Sequence, residues 1–128
     1  MMNNGIIDLI IRIKNGYQSR RETITTPSSR YKTEILKKLQ ALGFIESFEK
    51  EDDINYVTIK LKYVNGTPAF TDVKLYSKPG RRWYVSAHDL KPVLSGMGFS
   101  LVSTSKGILT NKEAQKAQVG GELLFDIW

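Results

Sequence analysis

The chain has no cysteine and a single histidine, His88, among its 128 residues. Without thiols there are no disulfides, no thiolate zinc or iron–sulfur sites and no cysteine nucleophile, and a reducing compartment is compatible with that absence. One imidazole, with acids scattered over strands and turns, gives no metal-ligand spacing, so neither a metal nor another cofactor is expected. No apolar run approaches the length of a bilayer span, and no membrane partner is expected. The opening MMNNGIIDLIIRIKNGYQSRR lacks a secretory cleavage pattern, so the mature domain is expected to begin at once. Two catalytic signatures are also missing: the G-x-S-x-G turn that exposes a serine nucleophile, and the G-x-x-x-x-G-K-[ST] phosphate loop. Ser103 or Ser105 with His88 as base is the remaining hydrolase arrangement. Asp89, adjacent to His88 in sequence, is poorly placed to orient that ring as a third triad member. An enzyme is not expected, and neither is a small-molecule substrate.

What is present is positive charge, unevenly spread. The formal net charge is +6. Arg12, Lys14, Arg20, Arg21, Arg30 and Lys32 face only Glu22 within residues 12–32, a local balance of +5. Lys78, Arg81, Arg82, Lys91 and Lys106 face only Asp89 within residues 77–109, a balance of +4. The acids gather in ESFEKEDD, residues 46–53. Such a distribution suits a polyanionic partner and equally a generically soluble basic protein.

An apolar fraction of 41% with 25% charged residues is ordinary for a soluble domain with a core. Ile6, Leu9, Ile10 and Ile13 recur at helical spacing and predict a helix over 5–15, ended by Gly16 or the polar stretch after it. ETITTP alternates as a short strand up to Pro27. Ser28 or Ser29 can cap a second helix that carries Ile35, Leu36, Leu39 and Leu42 on one face and stops at Gly43. FIESFEK and YVTIKLKYV read as strands joined by the turn EDDIN. Asn65-Gly66 signals a hairpin leading to AFTDVKLY. Beyond Ser77, SKPGRR is a loop, WYVSA a strand, and DLKPVLSGMG holds at most a helical turn. FSLVS and GIL flank a polar loop. Thr110 and Glu113 form a capping box for a helix to about Ala117, and Gly120-Gly121 lead into a last strand, ELLFDIW. The expected fold is therefore α+β in two small lobes, residues 1–76 with a helix–strand–helix–strand–strand order and residues 77–128 mainly β with one short helix.

The loop in LVSTSKGILT concentrates the candidate chemistry. Ser103, Thr104 and Ser105 carry hydroxyls that both donate and accept, Lys106 brings a point charge for phosphate, and Gly107 permits close backbone approach. The stretch is either an ordinary polar turn or a surface that reads base edges and 2′-hydroxyls of irregular RNA. Pro79-Gly80 shapes a second turn bearing Lys78, Arg81 and Arg82, followed by Trp83 and Tyr84 on opposite strand faces. One of these aromatics can stack outward while the other packs inward, and Trp83 is expected in the core rather than in a stacking role. Glu122 is either solvated or supports the hydroxyl loop, since a carboxylate facing phosphate would be repelled.

SKPGRRWYV and GMGFSLVSTSKGILTNKEAQKAQVGGELLFDIW resemble the C-terminal half of the bacterial-type eighth protein of the small ribosomal subunit. DLIIRIKNG and PSSRYKTEILKKLQALGFI match more loosely, so the resemblance spans essentially the whole chain. It implies a two-lobe α+β protein, a structural constituent of the small subunit, that binds the central domain of small-subunit rRNA, supports assembly and translation, and meets neighbouring small-subunit proteins. By carry-over, Ser103, Thr104, Ser105, Lys106 and Gly107 contact the distorted helix core, with Glu122 nearby. Arg82 and Tyr84 lie in another RNA-facing stretch, together with Lys78 and Arg81 of the same turn. Ser29, Arg30 and Lys32 match a helix start near the RNA backbone. The compact run before SKPG, and a chain rich in Ile, Lys and Tyr and poor in Ala, favour a mitochondrial member in the matrix, with a bacterial cytoplasmic or plastid one as alternative. The rival functions are a protein–protein scaffold, another RNA-binding module outside the ribosome, and a serine hydrolase.

Overall fold

The computed structural model describes residues 3–51 and 53–128, so Asp52 of the EDDIN turn and the first two methionines lie outside the described residues. Three helices and antiparallel sheets make the α+β architecture expected from the sequence. The chain divides into two compact units, residues 5–71 and residues 72–128.

In the first unit, α1 (Asn3–Gln18) turns Ile6, Leu9, Ile10 and Ile13 inward, and all four are buried. The helix ends at Gln18, in the polar stretch after Gly16, and runs through that glycine. A Cβ at that position would lie 2.7 Å from Ile24 Cγ2 and 3.0 Å from Leu61 Cδ1, so the glycine lets the helix press onto the sheet rather than stopping it. Tyr17, one residue on, is buried; its hydroxyl donates to Phe44 O at 2.5 Å and accepts from Lys62 N at 3.0 Å. Its ring stacks on Phe70 with centroids 5.4 Å apart.

β1 (Thr23–Pro27), β2 (Ser47–Glu51) and β3 (Tyr56–Lys60) form an antiparallel sheet in the order β1-β3-β2. Between β1 and β2 runs α2 (Arg30–Ala41), with Ile35, Leu36 and Leu39 fully buried. Its signals were local. Ser29 Oγ accepts from Lys32 N at 3.1 Å, and Gly43 takes φ 85° just past the end. The strand expected over YVTIKLKYV stops at Lys60. A small hairpin follows, β4 (Tyr63–Val64) and β5 (Thr67–Pro68), whose turn holds Asn65 at φ 53° and Gly66 at φ 79°, the two positive values a type I′ turn demands.

The second unit contains β6 (Val73–Leu75), β7 (Tyr84–Val85), β8 (Phe99–Thr104), β9 (Gly107–Thr110), α3 (Asn111–Ala117) and β10 (Gly121–Ile127). The strands are ordered β6-β10-β8-β9, with β7 also on β10, so β10 is the axis on which three others pair. The unit starts at Asp72, earlier than the expected boundary at 76/77, because β6 belongs to this sheet. Leu75 stands opposite Phe125, and Asp72 and Trp128 exchange backbone hydrogen bonds of 3.1 Å. The helical turn expected in DLKPVLSGMG is a single 3₁₀ turn at Leu94–Gly96, and a second such turn spans Ala87–Asp89.

α3 opens with the capping box read from the sequence: Thr110 Oγ1 accepts from Glu113 N at 3.1 Å, and Thr110 N donates to Glu113 Oε1 at 2.9 Å. Ala114 on this helix packs with Leu90, Val102 and Leu123. Leu101, Phe125 and Ile127 are completely buried.

At the rim of this core, Tyr76 donates its hydroxyl to Asp126 Oδ2 at 2.9 Å, while Asp126 Oδ1 accepts from Ser100 Oγ at 2.5 Å. Burial, and next the bond to the Asp126 carboxylate, push the Tyr76 phenol up to about 12 from an ordinary 10.0. Between those two pH values the unfolded chain releases a proton that the folded chain keeps. The stabilising contribution is therefore complete below about pH 10 and is lost as pH rises toward about 12. Urea unfolding of Tyr76→Phe should show a shallower alkaline loss of stability than the parent; identical slopes would mean that Tyr76 is not the group responsible.

Candidate nucleic-acid interface

The polar loop is the tip of the β8–β9 hairpin. Pairing runs from Leu101 opposite Thr110 to Thr104 opposite Gly107, leaving Ser105 and Lys106 as a two-residue turn. Gly107, at φ 105°, adopts a backbone that a side chain would strain. Thr104 secures the turn from within: its hydroxyl donates to Gly107 O at 2.8 Å and accepts from Lys106 N at 3.0 Å. Its one proton and one of its two acceptor sites are engaged in this way, so Thr104 braces the tip and keeps one acceptor site for other contacts. Ser105, Lys106 and Gly107 are exposed and Ser103 is half-buried.

Behind the tip, β10 lies unusually close. A Cβ on Gly121 would come within 2.1 Å of Ser103 O, and one on Gly120 within 2.4 Å of Val85 O. The double glycine thus exists for backbone approach rather than merely to end α3. It sets Glu122 directly opposite Ser103 on one side and Tyr84 on the other. Directly opposed residues share a sheet face, so Ser103, Glu122 and Tyr84 form one row. Arg82 reaches into it, its Nη1 3.4 Å from Glu122 Oε2, with the carboxylate only 14% exposed. Tyr84 is 70% exposed. The row offers hydroxyls, a phenol and a guanidinium held by a carboxylate, beside the flexible ammonium of Lys106.

Other expected residues fall elsewhere. Lys78 and Arg81 bond each other's backbone across a tight turn, with Gly80 at φ 76°, and border a pocket with Trp83. Trp83 is not a core residue: it is 44% exposed and meets Tyr76 edge-on, since only Ser77, which donates to Leu123 O at 2.8 Å, is drawn inside at this point. Ser29 and Arg30 belong to the first unit, where they border an open pocket with Lys37 and Lys50. Lys32 corrects the expectation. It is 8% exposed, and its ammonium donates to Pro27 O at 2.9 Å and Thr26 Oγ1 at 3.2 Å. Burial lowers its pKa from the ordinary value. No local sequence signal distinguishes this lysine from Arg30. His88 borders a pocket with Ala87, Gln115 and Gln118, none of them a serine, and Asp89 accepts from Ser86 Oγ at 3.1 Å.

Comparison with known proteins bears on the family of the chain. The family description "Ribosomal protein S8" matches residues 4–128. A small ribosomal subunit protein uS8 from Dictyoglomus thermophilum is 44% identical over 125 residues, covering 96% of this chain and 95% of that protein. The uS8 proteins of Mycoplasma mycoides subsp. mycoides, at 43% identity, and Cereibacter sphaeroides, at 40%, cover 99% or more of both chains. These relatives are bacterial and give the expected mitochondrial placement no support. On the match of the family across nearly its whole length, the chain belongs to the ribosomal protein S8 family.

Proposed function

We propose that the chain is a structural constituent of a bacterial small ribosomal subunit and binds the central domain of small-subunit rRNA through the β8–β9 tip and the Ser103–Glu122–Tyr84 row. The family is one of structural, non-enzymatic proteins. The observation that carries the RNA reading is the tip itself. Ser105 and Lys106 project from a turn whose geometry is already fixed by the Thr104 hydroxyl, so contact with a ligand orders little further chain. Arg82, Lys106 and the basic stretches supply phosphate attraction and salt dependence. Ser103 and Ser105 supply discrimination, because RNA of the wrong contour would leave their hydroxyls unpaired. Glu122 holds Arg82 and the strand beneath the tip. Ser29 and Arg30 on the first unit add backbone contacts, and neighbouring small-subunit proteins complete the surroundings. Supporting subunit assembly and translation follows from holding that rRNA segment in one shape, and the bacterial relatives favour the bacterial cytoplasm as the compartment.

Gel-shift titration with a central-domain rRNA fragment tests this. Ser105→Ala should weaken binding by roughly 1–3 kcal/mol, the scale of a lost hydrogen bond that strands its partner. Lys106→Ala, in contrast, should leave discrimination intact and reduce the salt slope by roughly 0.7–0.9, one phosphate's worth. Equal affinity of Ser105→Ala and the parent would remove the tip from the interface and leave a basic protein–protein scaffold as the better reading.

A further inference from the structure

The opposite face of the same sheet carries a cluster that the hairpin reading does not use. Tyr84 shares a face with Glu122, so its neighbour Trp83 points to the other side. There an open pocket of about 240 Å³ is lined by Lys74, Leu75, Tyr76, Lys78, Arg81 and Trp83. The Trp83 and Tyr76 rings meet at 62° with centroids 5.5 Å apart, and the Lys74 ammonium lies 5.2 Å from the Tyr76 ring centre. With that edge-on contact in place Trp83 is still 44% exposed. Covering the exposed part of so large an apolar ring is favourable, and a flat partner can add stacking to that burial. The nearby carboxylate, Asp126, is already engaged by Tyr76 and Ser100, and among the described residues no acid lines the pocket. Lys78 and Arg81, held on either side of the Pro79-Gly80 turn, place two cations at the pocket's edge.

We infer that this pocket is a second RNA subsite, which stacks one unpaired nucleobase on Trp83 and takes the flanking phosphates on Lys78 and Arg81. An aromatic platform between cations is the arrangement that binds single strands without reading sequence. An acidic peptide would satisfy the cations but leave the indole face without a flat partner, which is why RNA is favoured. The inference rests on the chain being an RNA binder but not on the hairpin tip. Through it, one small sheet grips a shaped helix on one face and a stray nucleotide on the other.

The probe is an adenylate octamer, titrated at low salt into full-length Trp128→Phe, in which Trp83 is the only indole. Quenching of Trp83 emission is expected. Affinity, followed by anisotropy of a labelled octamer, should fall about tenfold in Trp83→Leu, the scale of one lost base–aromatic stack. It should fall again in Lys78→Ala/Arg81→Ala, which leaves the indole in place and controls for folding. Ser105→Ala should leave octamer binding unchanged while weakening the rRNA fragment, so failure of either site is seen separately. Absence of quenching, or quenching indifferent to Lys78 and Arg81, would overturn the subsite. So would a glutamate decapeptide that displaces the octamer at equal concentration, by making the pocket a protein contact.

Discussion

Gly121→Ala is expected to destabilise the second unit by about 3 kcal/mol or more, at the upper end of what overpacking costs. The methyl group would sit 2.1 Å from Ser103 O and 3.1 Å from Thr104 Cα. Both are backbone atoms of β8 in a paired ladder, so neither can swing aside as a side chain would. Gly121 has no left-handed backbone to protect, and outside this setting alanine would gain about 0.4–1 kcal/mol by restricting the unfolded chain. The clash must therefore overcome that gain, and it acts where Glu122 and Ser103 are held in register. Urea unfolding should show a lower midpoint, and affinity for the rRNA fragment should drop with it, although residue 121 carries no group that contacts RNA. A midpoint equal to that of the parent would mean that β10 and β8 do not approach as closely as described.

Phe125→Ala is expected to cost about 3–5 kcal/mol. The ring is completely buried, opposite Leu101 on one strand and Leu75 on the other, just beyond the irregularity in pairing between Leu123 and Phe125. Three strands close around it, and paired backbone on both sides restricts how far the cavity can collapse. Since whole domains are stable by only about 5–15 kcal/mol, this single change removes much of the margin. Phe125→Leu should restore most of the loss by refilling the space. Near-ultraviolet circular dichroism with urea titration distinguishes the three proteins; a loss under about 1 kcal/mol for alanine would show that the ring is not the centre of this core.

Features set by neighbours in sequence were legible in advance. The Ser29 cap, Gly43 past α2, the Asn65-Gly66 turn and the Thr110–Glu113 box each depend on a handful of adjacent residues, and the structure has all four. The hairpin with its polar tip was legible for the same reason. What escaped depends on distant partners. Gly16 reads as one of two places for the helix to stop, the other being the polar stretch where it does end, until Ile24 and Leu61 are seen pressing against the glycine. Val73–Leu75 reads as the far arm of a local hairpin, yet pairs with a strand some fifty residues away, and that pairing moves the boundary between units. Lys32 and Trp83 exchanged their expected places because burial is decided by the packing of other elements, not by residue type. Thr104 was grouped with its neighbouring serines, and only the turn's geometry shows that its hydroxyl also braces the turn.

The position of β10 bears on the order in which the two units can fold during synthesis. All strands of the β1-β3-β2 sheet have been made once Lys60 is in place. β6, β7 and β8 each pair with β10, which comes after all of them, so they emerge as ribbons without their common partner. Vectorial synthesis therefore yields a half-finished protein whose first unit has its sheet while its second still waits, and until Gly121–Ile127 arrives the row of Ser103, Glu122 and Tyr84 does not exist.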